Sequence, residues 1–100
     1  MEFDWDKEKQ RSNLEKHGID FDEIEPFFDS SVVEEIDQRQ DYGEIRISAY
    51  GQLGSRVLNV VYTRCGTVYR MISARKANDR ERRKYYQSLQ RRMETEEGKD

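Results

Sequence analysis

Several residue types are scarce in this sequence, and each shortage narrows what the chain can be. The single cysteine, Cys65, excludes an internal disulfide, which favours a reducing compartment. No apolar run approaches the roughly 20 residues that a membrane-spanning helix needs. The acidic N-terminus has the features of neither a signal peptide nor a transit peptide. These shortages predict a cytoplasmic protein.

Hydrophobic residues are also few, at 34% against 39% charged residues, a balance typical of strongly solvated chains. The apolar residues nevertheless recur in periodic segments, which favours a folded domain. A chain of 100 residues is long enough to bury one core. We predict a single domain over residues 1–93 and a disordered tail over residues 94–100.

Charge is distributed unevenly along the chain. Residues 1–44 hold fifteen acidic and five basic residues, whereas residues 45–100 hold six acidic and thirteen basic ones. This asymmetry predicts a basic working surface in the second half, suited to a polyanion. The alternative is that acidic helices neutralise a basic sheet edge within the same molecule.

Two helices are predicted in the acidic half. Asp6 is a favourable N-cap for a helix that ends at His17, before Gly18 in a left-handed conformation. This helix has little apolar surface, so we expect Trp5 and Leu14 to hold it against the core. A second helix is predicted from Asp20, and the only proline should bend it or end it early.

Four strands and a final helix are predicted in the remainder. The strand segments are residues 32–36, 44–50, 57–63 and 68–74, and the short turns between them predict an antiparallel meander. Apolar residues on both faces of the central strands should be buried: Val57, Leu58, Val60, Val61 and Ile72. The last helix is predicted over residues 78–93, with an inward stripe of Tyr85, Leu89 and Met93.

These elements define the predicted fold class. It is an α+β domain with two N-terminal helices, a four-stranded antiparallel sheet and a C-terminal helix.

The junction between the last strand and the last helix is the most informative stretch. Asn78 and Glu81 have the spacing of a capping box, which fixes the helix start directly after Arg75 and Lys76. More basic residues follow in the first two helical turns, where positive charge opposes the helix dipole. An RNA ligand would explain why the sequence tolerates that cost.

A set of short motifs, in order over residues 3–89, resembles the BrnT toxins. The first half contributes Trp5-Asp6, Asn13, Lys16-His17-Gly18, Phe21 and Phe28-Asp29. The second half contributes Glu44-x-Arg46, Gly51, Gly66, residues 72–77 (ISARKA), Arg80-Glu81-Arg82 and Tyr85. Pro26 and residues 90–100 depart from the resemblance.

The resemblance implies a fold similar to that of RelE-like ribonucleases and an RNA-cleaving toxin that arrests translation and growth. It also implies neutralisation by BrnA, a ribbon-helix-helix antitoxin, in a toxin–antitoxin hetero-oligomer. Operator DNA would then be bound only through the antitoxin, and no membrane would be involved.

RNA cleavage through the ribose 2′-OH needs proton transfer and positive charge at the phosphorane. His17 is the natural proton-transfer candidate. The alternative is that a histidine at a helix C-terminus is there because it interacts favourably with the helix dipole. Glu44 and Arg46 are predicted to share a strand face as base and phosphate clamp, or to form a cross-strand ion pair. Arg75 is the best transition-state cation, because its planar fork matches phosphate oxygens.

Other basic residues are predicted to follow the RNA backbone: Lys16, Arg64, Arg70, Lys76 and Arg82. Tyr50 or Tyr62 would offer a stacking surface for bases. A solvated charged face would look the same for any one of these cations. The sequence shows neither the spaced ligands of a metal site nor a glycine-rich phosphate loop, so no cofactor is predicted.

Two other classes of function also fit the sequence. A noncatalytic RNA-binding or ribosome-binding module would keep the basic strand–helix junction without needing His17 or Glu44. A protein-interaction domain, such as a co-repressor acting through its partner, would use the exposed first helix as a contact surface.

Overall fold

The computed structural model describes the backbone of residues 1–97 and the surroundings of side chains up to residue 94. The elements follow one another as β1 (Glu2–Asp4), α1 (Lys7–His17), a 3₁₀ turn (Phe21–Glu23), α2 (Glu25–Phe28), β2 (Val33–Ile36), β3 (Ile47–Leu53), β4 (Arg56–Cys65), β5 (Val68–Lys76) and α3 (Asp79–Glu97). The predicted α+β class is confirmed.

The sheet has five strands in the order β1-β5-β4-β3-β2. β1 runs parallel to β5, and the other neighbours are antiparallel. The prediction of a four-stranded antiparallel sheet is therefore wrong by one strand. β1 has three residues and one apolar side chain, Phe3, which is too little for an alternating pattern to show.

The N-terminal helices are formed partly as predicted. Asp6 caps α1 by accepting a 2.7 Å hydrogen bond from the Glu8 amide, and Gly18 ends it at a φ of 71°. The second predicted helix is instead divided into the 3₁₀ turn and the short α2. Pro26 lies in the first turn of α2, where a missing amide proton leaves no helical bond unmade.

These helical segments form the main core with one face of the sheet. The buried residues of this core include Ile19, Phe21, Ile24, Phe27, Leu58, Val60 and Tyr62. Gly51 lets α2 approach β3 closely, because a Cβ at that position would lie 2.9 Å from the Phe27 ring. Tyr62 is fully buried in this core, so its predicted role as a stacking surface for RNA is wrong.

Of the two predicted anchors of α1, Trp5 packs against the core as expected, whereas Leu14 does not and Asn13 takes its place. Leu14 is 44% exposed, whereas Asn13 is only 5% exposed. The Asn13 amide accepts from the Ala74 backbone N–H and donates to the Ala74 carbonyl, both at 2.9 Å, and also donates to the Ile19 carbonyl. β1 pairs with β5 only up to Arg70. Beyond the end of β1, Asn13 provides hydrogen-bond partners for the backbone N–H and carbonyl of Ala74 on the edge of β5.

One β-bulge accounts for a wrong core prediction. Val61 pairs with Ser73 and Tyr62 pairs with Met71, which leaves Ile72 as the extra, unpaired residue of β5. Ile72 is accordingly half-buried. The other predicted core residues are buried as expected: Val57, Leu58, Val60 and Val61.

The opposite face of the sheet carries α3. Tyr85 packs with Val57 and Leu89 in a second, smaller core. Met93 was predicted to complete this stripe, but it is 61% exposed. The other described side chains from residue 90 onward are exposed as well. α3 extends to residue 97, past the predicted end at residue 93, and residues 98–100 of the predicted tail lie outside the described residues.

Candidate active site

A polar pocket of about 210 Å³ opens on the α3 side of the sheet. Its floor comes from four neighbouring strands, and its walls come from the β2–β3 loop and the first turn of α3. The side chains that line it include Glu35, Ser48, Tyr50, Asn59, Arg75 and Glu81.

Strand register explains why these polar groups converge. Tyr50 lies directly opposite Asn59, and Asn59 lies directly opposite Arg75, so the three side chains share one face of the sheet. Ser48 is two residues from Tyr50 and therefore points the same way. The buried Asn59 amide donates to the Ser48 hydroxyl over 2.8 Å. A row of polar side chains thus crosses the centre of the sheet.

Glu81 organises the α3 side of the pocket. Its two carboxylate oxygens each accept a 2.8 Å hydrogen bond from the Arg75 guanidinium, and the Tyr50 hydroxyl donates to it over 3.1 Å. The same carboxylate accepts from the Asn78 amide, while the Asn78 side chain accepts from the Glu81 amide. The predicted capping box is therefore present, and it also fixes Arg75.

These contacts determine the protonation states in the pocket. Hydrogen bonds from Arg75 are the main cause that lowers the pKa of Glu81 to about 2, so Glu81 is an anion at neutral pH. Burial, and then the Glu81 charge, raise the pKa of Tyr50, which therefore keeps its proton. Glu81 thus acts as an anchor for Arg75, and such a stabilised anion is a poor proton acceptor.

Arg75 retains hydrogen-bonding capacity after these contacts. Its Nη1 group donates to Glu81 and to the Lys76 carbonyl, and its Nη2 group donates once to Glu81. A guanidinium has five N–H donors in a planar fork. The Nε–H and one Nη2–H of Arg75 therefore have no partner among the described residues, and together they form a free bidentate edge.

The β2–β3 loop adds a second arginine to the pocket. Arg39 donates from Nε and Nη2 to the two oxygens of Asp37, over 2.8 and 2.7 Å. Tyr42 also donates to Asp37, whose pKa falls to about 2, chiefly through the hydrogen bonds from Arg39. Asp37, Gln38 and Arg39 all line the pocket.

His17 and Lys16 lie elsewhere. Both are exposed in the last turn of α1, and neither lines the pocket. In the described part of the chain, His17 makes no hydrogen bond or ion pair with Glu44, Arg46 or Arg75. The structure therefore does not bring the predicted proton-transfer histidine to the predicted cation.

Glu44 and Arg46 precede β3, which begins at Ile47. They do not share a strand face as predicted, because both lie in the β2–β3 loop. The Arg46 Nε donates to Glu44 over 3.3 Å, and the guanidinium sits 3.9 Å above the centre of the Tyr42 ring. Glu44 and Arg46 therefore form an ion pair, as the alternative prediction had it. The ion pair lies within one loop, however, and does not bridge two strands.

Arg64 and Arg70 lie near the β4–β5 turn. Arg70 pairs with Asp4 of β1 over 3.5 Å, and the Arg64 guanidinium sits 4.8 Å above the Tyr69 ring. Arg75 lies five positions after Arg70 along β5, roughly 16 Å at about 3.3 Å per residue, and neither Arg64 nor Arg70 lines the pocket. These two cations are therefore outside the pocket.

Lys76 and Arg82 lie on the other side of the start of α3. With Arg56 they line a small basic depression next to the β3–β4 turn. Arg82 also forms an ion pair with Asp79. The depression is separate from the pocket that contains Arg75.

The sequence analysis did not assign Glu35, Arg39 or Asn59 to the site, and it identified Glu81 only as a capping residue. The usable signal was Asn59, an amide within the apolar run of β4, where a buried polar group must find a partner. Tyr50 was expected to stack on bases, and it lies in the pocket as part of the Glu81 network. No local pattern pointed to Arg39, which sits in an irregular loop.

Within residues 1–94, no three His, Cys, Asp or Glu side chains are arranged to hold a metal ion. Over the same range, no helix combines the length and the apolar character needed to cross a membrane.

Comparison with known proteins adds one finding. The family described as "Ribonuclease toxin, BrnT, of type II toxin-antitoxin system" matches residues 5–81, which cover α1, the whole sheet except β1, and the start of α3. No curated protein matches the chain. The matched region includes every side chain named above as lining the Arg75 pocket. The chain therefore belongs to the BrnT family of ribonuclease toxins from type II toxin–antitoxin systems.

Proposed function

We propose that this toxin is an endoribonuclease whose active site is the pocket around Arg75. The observation that carries the proposal is the state of the Arg75 guanidinium. Glu81 holds one edge of the fork with two 2.8 Å hydrogen bonds, and the other edge is free in a polar pocket. A cation fixed in advance stabilises a developing charge without reorganising during the reaction.

The proposed reaction uses the ribose 2′-OH as the nucleophile. Its oxygen attacks the adjacent phosphorus while the bond from phosphorus to the 5′ oxygen breaks. The 2′-OH proton passes to a base, and the leaving 5′ oxygen receives a proton from an acid. The products are a 2′,3′-cyclic phosphate and a free 5′-OH end.

Two groups in the pocket suit these proton transfers. We assign the base role to Glu35, whose carboxylate is half-exposed and is 3.8 Å from the Lys84 ammonium. We assign the acid role to Tyr50, whose hydroxyl keeps its proton at neutral pH and would turn from Glu81 to the leaving 5′ oxygen when the substrate binds. Arg75 then bears the charge of the phosphorane, so the three roles come from three of the strands that line the pocket, β2, β3 and β5.

We further propose that cleavage is independent of metal ions, because Arg75 supplies the positive charge at phosphorus and Glu35 and Tyr50 supply the proton transfers. Cleavage of an RNA substrate should then continue at an unchanged rate in excess chelator. A loss of cleavage that added Mg²⁺ restores would contradict this part of the proposal.

The decisive comparison is between Arg75→Ala and His17→Ala, measured by single-turnover cleavage at saturating enzyme. Loss of the contact from Arg75 to the phosphorane should cost roughly 3–4 kcal/mol, or about two to three decades in rate. His17→Ala should cleave within about threefold of the parent, since His17 lies outside the pocket. A loss of about two decades or more in His17→Ala would restore His17 as a proton-transfer group.

Lys76→Ala provides a matched control for lost positive charge. Lys76 is the residue next to Arg75 but lines the separate basic depression. The substitution should weaken RNA binding and reduce its salt dependence while the rate at saturation stays the same. If the parent binds RNA without cleaving it, the noncatalytic RNA-binding alternative would be favoured.

We propose that a BrnA-like ribbon-helix-helix antitoxin neutralises the toxin by covering its basic half, in a hetero-oligomer that binds operator DNA through the antitoxin. Residues 45–93 hold twelve basic residues and two acidic ones, Asp79 and Glu81. Antitoxin affinity should therefore fall as salt rises. An affinity that is independent of ionic strength would place the contact elsewhere. An RNA substrate and the absence of a paired cysteine favour a cytoplasmic location.

A further inference from the structure

The pocket contains a second arginine that the proposed reaction does not yet use. Arg39 is 73% exposed at its side chain, whereas its partner Asp37 is only 3% exposed. Asp37 is itself fixed, because its amide donates to the Arg46 carbonyl over 2.8 Å. A buried, anchored carboxylate therefore holds an exposed guanidinium at the rim of the pocket.

Arg39 and Arg75 are held in complementary ways. Asp37 takes the Nε and Nη2 donors of Arg39, so the Nη1 donors and one Nη2–H have no partner among the described residues. Glu81 takes the Nη1 and Nη2 donors of Arg75, so the Nε edge is free. Each guanidinium has one edge fixed by a carboxylate and another edge available for a ligand.

The two guanidinium groups belong to one cavity. Both line the pocket, although Arg39 comes from the β2–β3 loop and Arg75 from the end of β5. The pKa of Arg75 is raised mainly by its hydrogen bonds to Glu81, and the nearby charge of Arg39 acts in the opposite direction. The two charges are thus close enough to repel, a cost that a bound anion would remove.

We infer that Arg39 and Arg75 together clamp one phosphate group of the RNA, with Arg39 as a phosphate-binding residue in addition to Arg75. The inference rests on the proposed function, because it names the contacts that the same site makes with its substrate. Phosphate suits the site, since its tetrahedral oxygens can accept from two planar forks that approach from different directions.

Asp37 and Glu81 limit the strength of this site. Each carboxylate neutralises part of the charge on its arginine, and the Glu35 carboxylate lies nearby. A free phosphate should therefore bind weakly, with a dissociation constant on the order of 1 mM. The carboxylates contribute by fixing the direction of each guanidinium, so the clamp depends on geometry more than on net charge.

The test measures phosphate binding and cleavage on the same variants. Inorganic phosphate and a nucleoside 3′-monophosphate are titrated by NMR into the full chain carrying Arg39→Gln, Arg39→Lys, Arg75→Gln or both glutamines. Arg11→Gln is the matched control, since it removes one exposed arginine from α1, outside the pocket. Thermal melting of each variant checks that it is folded.

Arg39→Gln should weaken binding of both phosphate probes and lower kcat/KM for RNA by roughly 10- to 100-fold, as expected for lost charge-assisted hydrogen bonds. Arg39→Lys should recover only part of that loss, because an ammonium keeps the charge without the fork. The loss of binding free energy in the double variant should be smaller than the sum of the losses in the two single variants, since the two arginines share one ligand.

The inference is overturned if Arg39→Gln titrates and cleaves like Arg11→Gln while Arg75→Gln is inactive. It is also overturned if Arg39→Lys behaves like the parent, since a positive charge at any orientation would then suffice. Normal cleavage by Arg75→Gln would instead refute the proposed active site itself. The two failures are therefore distinguishable in one set of measurements.

Discussion

Asn13→Ala should destabilise the protein far more than the adjacent Leu14→Ala. Asn13 makes three hydrogen bonds of 2.9 Å to backbone groups of Ala74 and Ile19, and only 5% of it is exposed. Its removal leaves the Ala74 N–H and both carbonyls without these partners. Unpaired buried groups of this kind cost about 1–3 kcal/mol each, and water will reach some of them at the sheet edge.

A net loss of about 2–4 kcal/mol is therefore expected for Asn13→Ala, after a gain of about 0.5 kcal/mol from the better helix propensity of alanine. For a domain of this size the midpoint of thermal unfolding should fall by roughly 10–25 °C. Leu14→Ala should cost less than about 1 kcal/mol, because much of that side chain is already exposed.

Urea unfolding followed by circular dichroism would compare the two variants with the parent. Equal m-values would show that the same surface is exposed in each unfolding reaction. A larger loss of stability in Leu14→Ala than in Asn13→Ala would refute the role of Asn13 as the anchor of α1. So would melting of Asn13→Ala within about 2 °C of the parent, because the edge of β5 would then need no side-chain partner.

Three further predictions concern the fold. Gly51→Ala should destabilise the protein by about 1–3 kcal/mol, because the new Cβ would lie 2.9 Å from the Phe27 ring. A urea midpoint equal to that of the parent would show that Phe27 can move away and would refute this prediction. Val60→Ala should cost about 1–4 kcal/mol through lost burial and a cavity, and an unchanged midpoint would refute its central position in the core. Acid should destabilise the protein below about pH 4.5: the pKa values of Glu81 and Asp37 are lowered to about 2, from 4.5 and 3.8. The stability that these two carboxylates contribute is complete above their ordinary pKa values and is lost as the pH falls toward 2. A urea midpoint equal at pH 7 and pH 3 would contradict this prediction.

The sequence predicted the elements that have strong local signals. The cap at Asp6, the left-handed Gly18 and the capping box of Asn78 with Glu81 each depend on a few adjacent residues, and each is present. β4 was predicted as a central strand because an unbroken apolar run requires cover on both faces, and it lies third of five strands.

The errors arise where distant parts of the chain decide the outcome. β1 exists because Phe3 pairs with Tyr69 far along the chain, and its own residues carry almost no signal. Asn13 is buried because β1 ends before Ala74, which no helical pattern can show. Ile72 is only half-buried because of a bulge, which shifts the alternation on which the burial prediction depended.

The candidate site was predicted only at its centre. Arg75 was identified from its place at a strand-to-helix junction, and Glu81 from its capping role. The convergence of Tyr50 and Asn59 on Arg75 depends on the register of three strands, which spacing along one chain does not fix. His17 was chosen for its proton-transfer chemistry and its place in the family resemblance, and neither fixes where it lies relative to Arg75.

Chemical rescue of Arg75→Ala tests whether the Arg75 guanidinium stabilises the phosphorane. The substitution removes the guanidinium but leaves Glu81 and the pocket, so added guanidinium ion, at concentrations too low to unfold the protein, can occupy the vacant position. The single-turnover rate of Arg75→Ala should lie about two to three decades below that of the parent, and guanidinium should partly restore it while leaving the parent rate unchanged. RNA cleavage by folded Arg75→Ala at the parent rate, with no response to guanidinium, would show that Arg75 does not stabilise the reaction.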